Sequence, residues 1–338
     1  MQQAATAVTE VTVHRSVREL GRDCWDPLTA ASDAPVFYGY DFLASIERAP
    51  LTAGAQAYYL VARQEGRVVA ALPVYRQETV DPFEPGPAAP TRQLYGHFWH
   101  CYDTAVVGAA APEPRLVERL CAALRRLAGE LGARRWGLVY VPEGSALAAA
   151  LGAVGLPGVP TAPRYQLALA GGPASVDEHL AAVGRSSRRT LRRYWRRAVV
   201  DGVRVDVGPA RDGLDADALA LCLATADKHA PGYYPPDRLR SLAAALGPAC
   251  RTIRVSLRDR LLGVSICLDD RSRMHAWAGG CLYPPELSWS PQYVLFHAEL
   301  AAGIGSGRRT LECGRRNDEF KQRYGLARVG LARHVEDG

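Results

Sequence analysis

Lysine is almost absent from this sequence. Of 41 basic residues only Lys228 and Lys321 are lysines, so arginine carries nearly all the positive charge and a position that keeps lysine asks for a reason. A CxxC pair is also missing. The eight cysteines (24, 101, 121, 222, 250, 267, 281 and 313) are scattered, several in apolar runs such as VSICL where a small buried hydrophobe fits. That spacing argues against structural zinc and for a reducing compartment. Residues 1–20 hold no continuous apolar segment of the signal-peptide kind, and no later run approaches a membrane span, so a cytoplasmic protein is expected. No GxGxxG, P-loop, GxSxG or Ser-His-Asp order is visible, which leaves nucleotide-dependent and serine-hydrolase chemistries without support. Neither a metal nor a bound cofactor is expected.

What is present suffices for two ordinary domains: 338 residues, 48% of them hydrophobic. A formal charge of +6 favours an anionic partner, and where that charge sits matters more than its sum. The chain states one plan twice. In the first half AQAYYLVARQ and RVVAALPVY read as strands joined by a tight EG turn, and LYGHFWHCYDTAVVG as further extended structure. Leu116, Leu120, Leu124, Leu127 and Leu131 then make one helical stripe, and RRWGLVYV a buried strand. The second half runs VRVDV (203–207), helices at about 215–229 and 237–246, the hairpin CRTIRVSL/LLGVSICL, the strand RMHAWAGG, a helix at 291–304, the strand RRTLECG, a short helix near 316–324 and a last strand ARVGLARHV. GLPGVPTAPRYQLALAGGP marks the boundary, placed at 160–172, which divides the chain into domains 1–165 and 166–338. The fold class is α/β or α+β, with mixed, mainly antiparallel sheets flanked by helices.

The order β-α-α-β-β-β-α-β-α-β in the second half resembles the GNAT acyltransferase fold. That resemblance implies a splay between RMHAWAGG and RRTLECG that admits an acyl donor. Most GNAT enzymes hold coenzyme A on a glycine-rich turn at a helix N-terminus. The matching connection here, AGGCLYPPELSWSPQYV, contains three prolines that supply no N–H. The segment EFKQRYG, with Phe320, Lys321, Tyr324 and Gly325, is similar to the tail motif of the Fem family of aminoacyl transferases, which carry two GNAT-like domains. This resemblance implies transfer of an aminoacyl group from a charged tRNA to an amine, with Lys321 stabilising charge at the reacting ester. The chemistry agrees: aminolysis of an ester passes through a tetrahedral oxyanion and releases an alkoxide, and one ammonium can stabilise both. A compact point charge suits that task better than a planar guanidinium.

Further candidates surround that lysine. His297 lies one turn after Tyr293 on the helix beside the proposed splay and could take the amine proton, while Glu312 at the end of the next strand could orient the amine. Phe320, Tyr293, Trp277 and Arg315 are expected to contact substrate. So are Asp227, Lys228, Tyr233 and Tyr234, in a proline-rich loop placed over the site. His97 and His100 in GHFWHCYD read as a packed pair, since HFWH lacks the glutamate of a zincin. Residues 184–202 are the second signal. A capping box at Ser175 and Glu178 leads into a stripe of Leu180, Val183, Leu191, Trp195 and Val199, and Arg185, Arg188, Arg189, Arg192, Arg193, Arg196 and Arg197 cover the other face. Six of these, Arg185, Arg188, Arg189, Arg192, Arg193 and Arg196, are assigned to tRNA phosphates. An acyl-CoA or carrier-protein donor is the alternative, with a small-molecule or peptide amine as acceptor. A non-catalytic RNA- or anion-binding protein is the third reading.

Overall fold

The computed structural model describes residues 10–80, 89–96, 99–210, 214–228 and 230–338. They divide into two compact units, one running to Ala162 and including Gly330–Gly338, the other Pro163–Val329. Strands are numbered in chain order: β1 Glu10–His14, β2 Gln56–Gln64, β3 Arg67–Thr79, β4 Thr91–Tyr95, β5 Arg135–Pro142, β6 Val159–Ala168, β7 Val203–Pro209, β8 Cys250–Leu257, β9 Arg260–Asp269, β10 Arg273–Cys281, β11 Thr310–Arg315 and β12 Ala327–Asp337.

In the first unit the strands lie in the order β1-β2-β3-β4-β5-β12. All pairs are antiparallel except β4 with β5. The β2–β3 hairpin turns on Glu65 and Gly66, both at positive φ (50° and 77°), the signature of a turn whose twist matches its strands. Helix Pro114–Leu131 buries Leu120, Leu124 and Leu127 against Leu60, Leu72, Leu94 and Leu138 of the sheet. LYGHFWHCYDTAVVG is less regular than expected. Strand β4 ends at Tyr95, and a single bridge from Val107 to Ala71 returns to the sheet. His100 is buried, and His97 lies outside the described residues.

The second unit orders its strands β6-β11-β10-β9-β8-β7, with β10 parallel to β11. Alternation along β9 and β10 separates two helical layers. Gly263 faces Leu295 of helix Pro291–Ile304, whereas Gly280, paired with Val264, faces Leu221 of helix Ala216–Ala226. The helical layer of Pro291–Ile304 also holds the short helix Asp318–Arg323 and the arginine helix. That last element differs from expectation. The capping box forms, Glu178 N–H donating to Ser175 Oγ, but the helix it opens ends at Ala182. A fresh helix runs from Arg185 to Val200. Extended φ/ψ at Val183 and Gly184 reset the phase, so the buried face is Ser187, Leu191 and Ala198, and Val199 points to solvent.

Each unit completes its sheet with a strand encoded near the other. β6, from the first half of the chain, pairs with β11, and the end of β12 pairs with β5. The units therefore meet in sequence between Ala162 and Pro163, and residues 330–338 leave the second half for the first unit.

Helix Ala216–Ala226 lies so close to β10 that a Cβ at Gly280 would overlap Leu221 O. Gly280→Ala is expected to destabilise the protein by about 3 kcal/mol in urea unfolding. Gly208→Ala on β7, where the space is open, is expected to stay within about 0.5 kcal/mol.

Candidate active site

The parallel ladder between β10 and β11 has three rungs, Arg273↔Thr310, Met274↔Leu311 and His275↔Glu312, and then stops. Both strands continue, β10 to Cys281 and β11 to Arg315, without pairing to each other. A bulge at Trp277, between Ala276 and Ala278 in the β9–β10 register, turns β10 away. The result is the expected splay, and the carbonyls at the end of β11 are left to other donors.

Lys321 takes two of them. Arg316 and Asn317 sit at positive φ (67° and 57°), which ends β11 abruptly and starts helix Asp318–Arg323 two residues later than its sequence suggests. That turn brings Lys321 Nζ back to Gly314 O (3.0 Å) and Arg315 O (2.8 Å), with the Tyr165 ring centroid 5.5 Å away. Burial lowers the lysine from 10.5 to about 8, against the opposing pull of Cys313, Glu299 and Asp318. The other motif residues build the mount. Tyr324 is fully buried, and its hydroxyl donates to Ser187 O in the first turn of the arginine helix (3.1 Å). Phe320 packs on Tyr293 (5.4 Å), Phe296 (5.0 Å) and Tyr324 (4.8 Å). Gly325 has φ 77° and lies against the His179 ring, so a side chain there would be strained.

Glu299, which sequence reasoning passed over, faces this lysine from helix Pro291–Ile304. Burial pushes it up to about 7, opposed by a hydrogen bond from Ser265 and by Lys321. The available signal was a single acid in an otherwise uncharged apolar helix. His297, two positions earlier, points to the opposite side of that helix at 100° per residue. It stacks on Trp195 at 3.9 Å, and burial lowers it to about 4. The expected proton acceptor is thus a neutral ring packed on the arginine helix, and Glu299 occupies the place beside Lys321.

On the other face of the sheet Glu312 is buried, and Arg164 Nη1 donates to both its oxygens at 2.9 and 2.7 Å. Engagement by Arg164 makes it an anchor of the β6–β11 pair rather than an open carboxylate. His275, its partner in the last rung, is bonded through Nε2 to Asp270 (2.8 Å). Trp277, Tyr234 and Tyr233 form a chain of edge contacts at 5.6 and 4.8 Å, with the Arg315 charge near Tyr234. Asp227 accepts from Gly232 N–H and so shapes its own loop, and Lys228 is exposed beside it.

The seven guanidiniums of the arginine helix surround a surface cavity of about 480 Å³. Arg192 pairs with Asp177 (2.8 Å), Arg188 donates to Ala181 O, Arg197 to Ser288 O, and Arg193 lies over Tyr194. Arg185, Arg189 and Arg196 are exposed, with no partner among the described residues. Arg197 and the Trp289–Asp201 bond (2.7 Å) also tie down the loop before Pro291, where GNAT enzymes hold coenzyme A. Among the described residues no group of three or more His, Cys, Asp or Glu is placed to hold a metal, and no helix is long and apolar enough to cross a membrane. None of the eight cysteines is in a disulfide.

Residues 185–322, from the arginine helix through Lys321, match the family model for the acetyltransferase (GNAT) domain. No curated protein matches the chain in sequence. Among solved structures the chain is similar to FemX, with a TM-score of 0.65 at 12% identity over 97% of this chain and 98% of that one. It is also similar to a tandem GNAT protein from the clavulanic acid biosynthesis pathway, at 0.55 and 15% over 97% and 98%. L-PGS from Bacillus licheniformis gives 0.51 and 12% over 78% and 80%. At these identities the likeness shows fold, and the fold is that of tandem GNAT proteins.

A pH effect follows from the burial of Glu299. Glu299 holds its proton more tightly when folded, so unfolding free energy should fall as pH rises from about 4.5 to about 7. Glu299→Gln should flatten that part of a stability-versus-pH curve measured by urea unfolding.

Proposed function

We propose that this chain is an amide-forming acyltransferase that uses Lys321 to stabilise the reacting ester and takes an aminoacyl-tRNA as donor. The GNAT model and the FemX fold support an acyl or aminoacyl transferase in general. One observation carries the finer reading: a half-buried ammonium, fixed at the open end of the splay, belongs to a helix bonded through Tyr324 to the arginine helix. In the proposed reaction the amine nitrogen bonds to the ester carbonyl carbon, and the carbonyl oxygen gains charge that the ammonium stabilises. As the C–O bond to the ribose breaks, Lys321 supports the departing alkoxide, which takes up a proton while the amine nitrogen loses one. Phosphates next to the reacting end would lie along Arg185, Arg189 and Arg196, which have no acidic partner among the described residues. A second reading, acyl-CoA as donor, is supported by the match to an acetyltransferase model. Against it stands the loop before Pro291, pinned by Arg197 and Trp289.

Incubation with charged tRNAs and, separately, with acetyl-CoA discriminates the two. The reading expects charged tRNA alone to raise the melting temperature and to support amide formation. Lys321→Ala should lower kcat by about 10²-fold, roughly 3 kcal/mol, in a protein that stays folded at the assay temperature although its melting temperature falls with the loss of the two carbonyl bonds. Near wild-type turnover in that variant would end the proposal. Activity should also decline above about pH 8 as the ammonium deprotonates, and a partly active Lys321→Arg enzyme should lack that decline.

Changing Arg185, Arg189 and Arg196 together to glutamine should reduce the salt slope of tRNA binding by about 2 to 3, at 0.7 to 0.9 per lost phosphate contact. Turnover of a small aminoacyl ester should stay the same. An unaltered slope would mean that the helix is a solvated face.

A further inference from the structure

In both units a parallel ladder stops while the later strand of the pair runs on, and the carbonyls beyond it are met differently. In the first unit β4 and β5 are parallel for three rungs, Gln93↔Arg135, Leu94↔Trp136 and Tyr95↔Gly137, as β10 and β11 are in the second. Counted from the last rung, the second and third residues on the later strand of each pair are Val139 and Tyr140 on β5 in the first unit and Gly314 and Arg315 on β11 in the second. These are the same two carbonyls. In the second unit both accept from Lys321 Nζ. In the first, Tyr140 O accepts from Thr104 N–H at 3.1 Å, and the Thr104 hydroxyl lies 2.5 Å from Val139 O and 2.9 Å from Gly96 O.

We infer that the first unit is a closed copy of the acyl-transfer module: Thr104 seals the slot where the second unit presents its ammonium, so the chain takes one donor and not two. The inference builds on the acyltransferase reading. Its chemistry rests on charge. A neutral hydroxyl and an amide meet the needs of the two carbonyls but bring no cation to an oxyanion. The segment that carries Thr104 is fastened along its length. Tyr38 OH donates to Asp103 O (3.2 Å) and accepts from Ala105 N–H (2.9 Å), and Val107 exchanges two 2.8 Å bonds with Ala71. Trp99 sits edge-on between Tyr95 (5.7 Å) and Tyr140 (6.2 Å), so the gap between the strands is walled with aromatic rings. Thr104 itself is 3% exposed. Opening this slot would break the main-chain bonds of Thr104 and Val107 together.

Calorimetric titration of the full chain with tRNA carrying alanine through an amide link, and separately with acetyl-CoA, counts the sites. One equivalent per chain is expected of whichever binds, and two equivalents would overturn the inference. Hydrogen exchange at the Thr104 and Val107 amides gives a reading that needs no donor. Both should exchange slowly, at rates unchanged by either probe, whereas rapid exchange or a donor-dependent change would show an open slot. If neither probe binds, the donor reading fails while the exchange rates still decide closure. Thr104→Val should speed exchange of its own amide at least tenfold and leave amide-forming turnover within twofold. A folded Thr104→Val protein with lost turnover would give Thr104 a part in the reaction and sink the assignment; Thr104→Ser, which keeps the hydroxyl, is the control for folding.

Discussion

An ammonium held by two main-chain carbonyls at the end of a diverging strand organises the second unit. The carbonyls of Gly314 and Arg315 lose their ladder partners because β10 bends away at the Trp277 bulge. Buried carbonyls must be satisfied, and a donor-only group on a flexible stem can reach both. Arginine would answer the hydrogen bonds less well at one point, and it would stay fully charged at any pH. Lysine accepts a shift to about 8, so the same burial that fixes the group also weakens its hold on its proton. This is the physical content of keeping lysine at position 321 in a chain that has only one other.

The charge of Lys321 survives because its neighbours are arranged not to cancel it. Side chains alternate along β11, so Glu312 and Cys313 point to opposite faces of the sheet. Glu312 is neutralised on its own face by Arg164. Cys313 stays a thiol, since burial raises it well above 9.0. Glu299, on the lysine's face, is pushed up to about 7 and is only partly ionised near neutrality. A fully ionised acid at that place would form a closed ion pair with Lys321 and spend its field there. A protonated Glu299 leaves the field of the ammonium uncancelled, the sign that the proposed oxyanion would require.

How much of this could be read from sequence depended on the range of each interaction. Alternation found β2, β3, β8, β9 and β10, and periodicity found helices Pro114–Leu131 and Pro291–Ile304, because those patterns are local. The motif at 320–325 was legible because Phe320, Lys321 and Tyr324 act within one short helix. Pairings across long separations left no local trace. Arg164 and Glu312 are 148 residues apart, and β6 and β12 exchange between halves. The spacing from Tyr293 singles out His297, whereas the helix phase is what brings Glu299 to the lysine's side. The break at Gly184 was hidden because Leu180, Val183 and Leu191 keep helical spacing across it.

The arginine helix and the lysine were identified as separate signals, one electrostatic and one chemical, and Tyr324 makes them one device. Its ring closes the aromatic group of Tyr293, Phe296 and Phe320 beneath Lys321, and its hydroxyl reaches the main chain of Ser187 at the start of the arginine helix. Its own carbonyl is bonded to His179 in the preceding helix (2.9 Å). A tyrosine buried in this way, with ring, hydroxyl and carbonyl all engaged, has little freedom to move without disturbing three helices. The span from the guanidiniums of Arg185 and Arg189 to the Lys321 ammonium is therefore set by packing rather than by loop conformation. In the reaction proposed above, a polyanion gripped at one end of that span would present its reacting end near the other, which is the geometric requirement for turning phosphate binding into positioning at an ester.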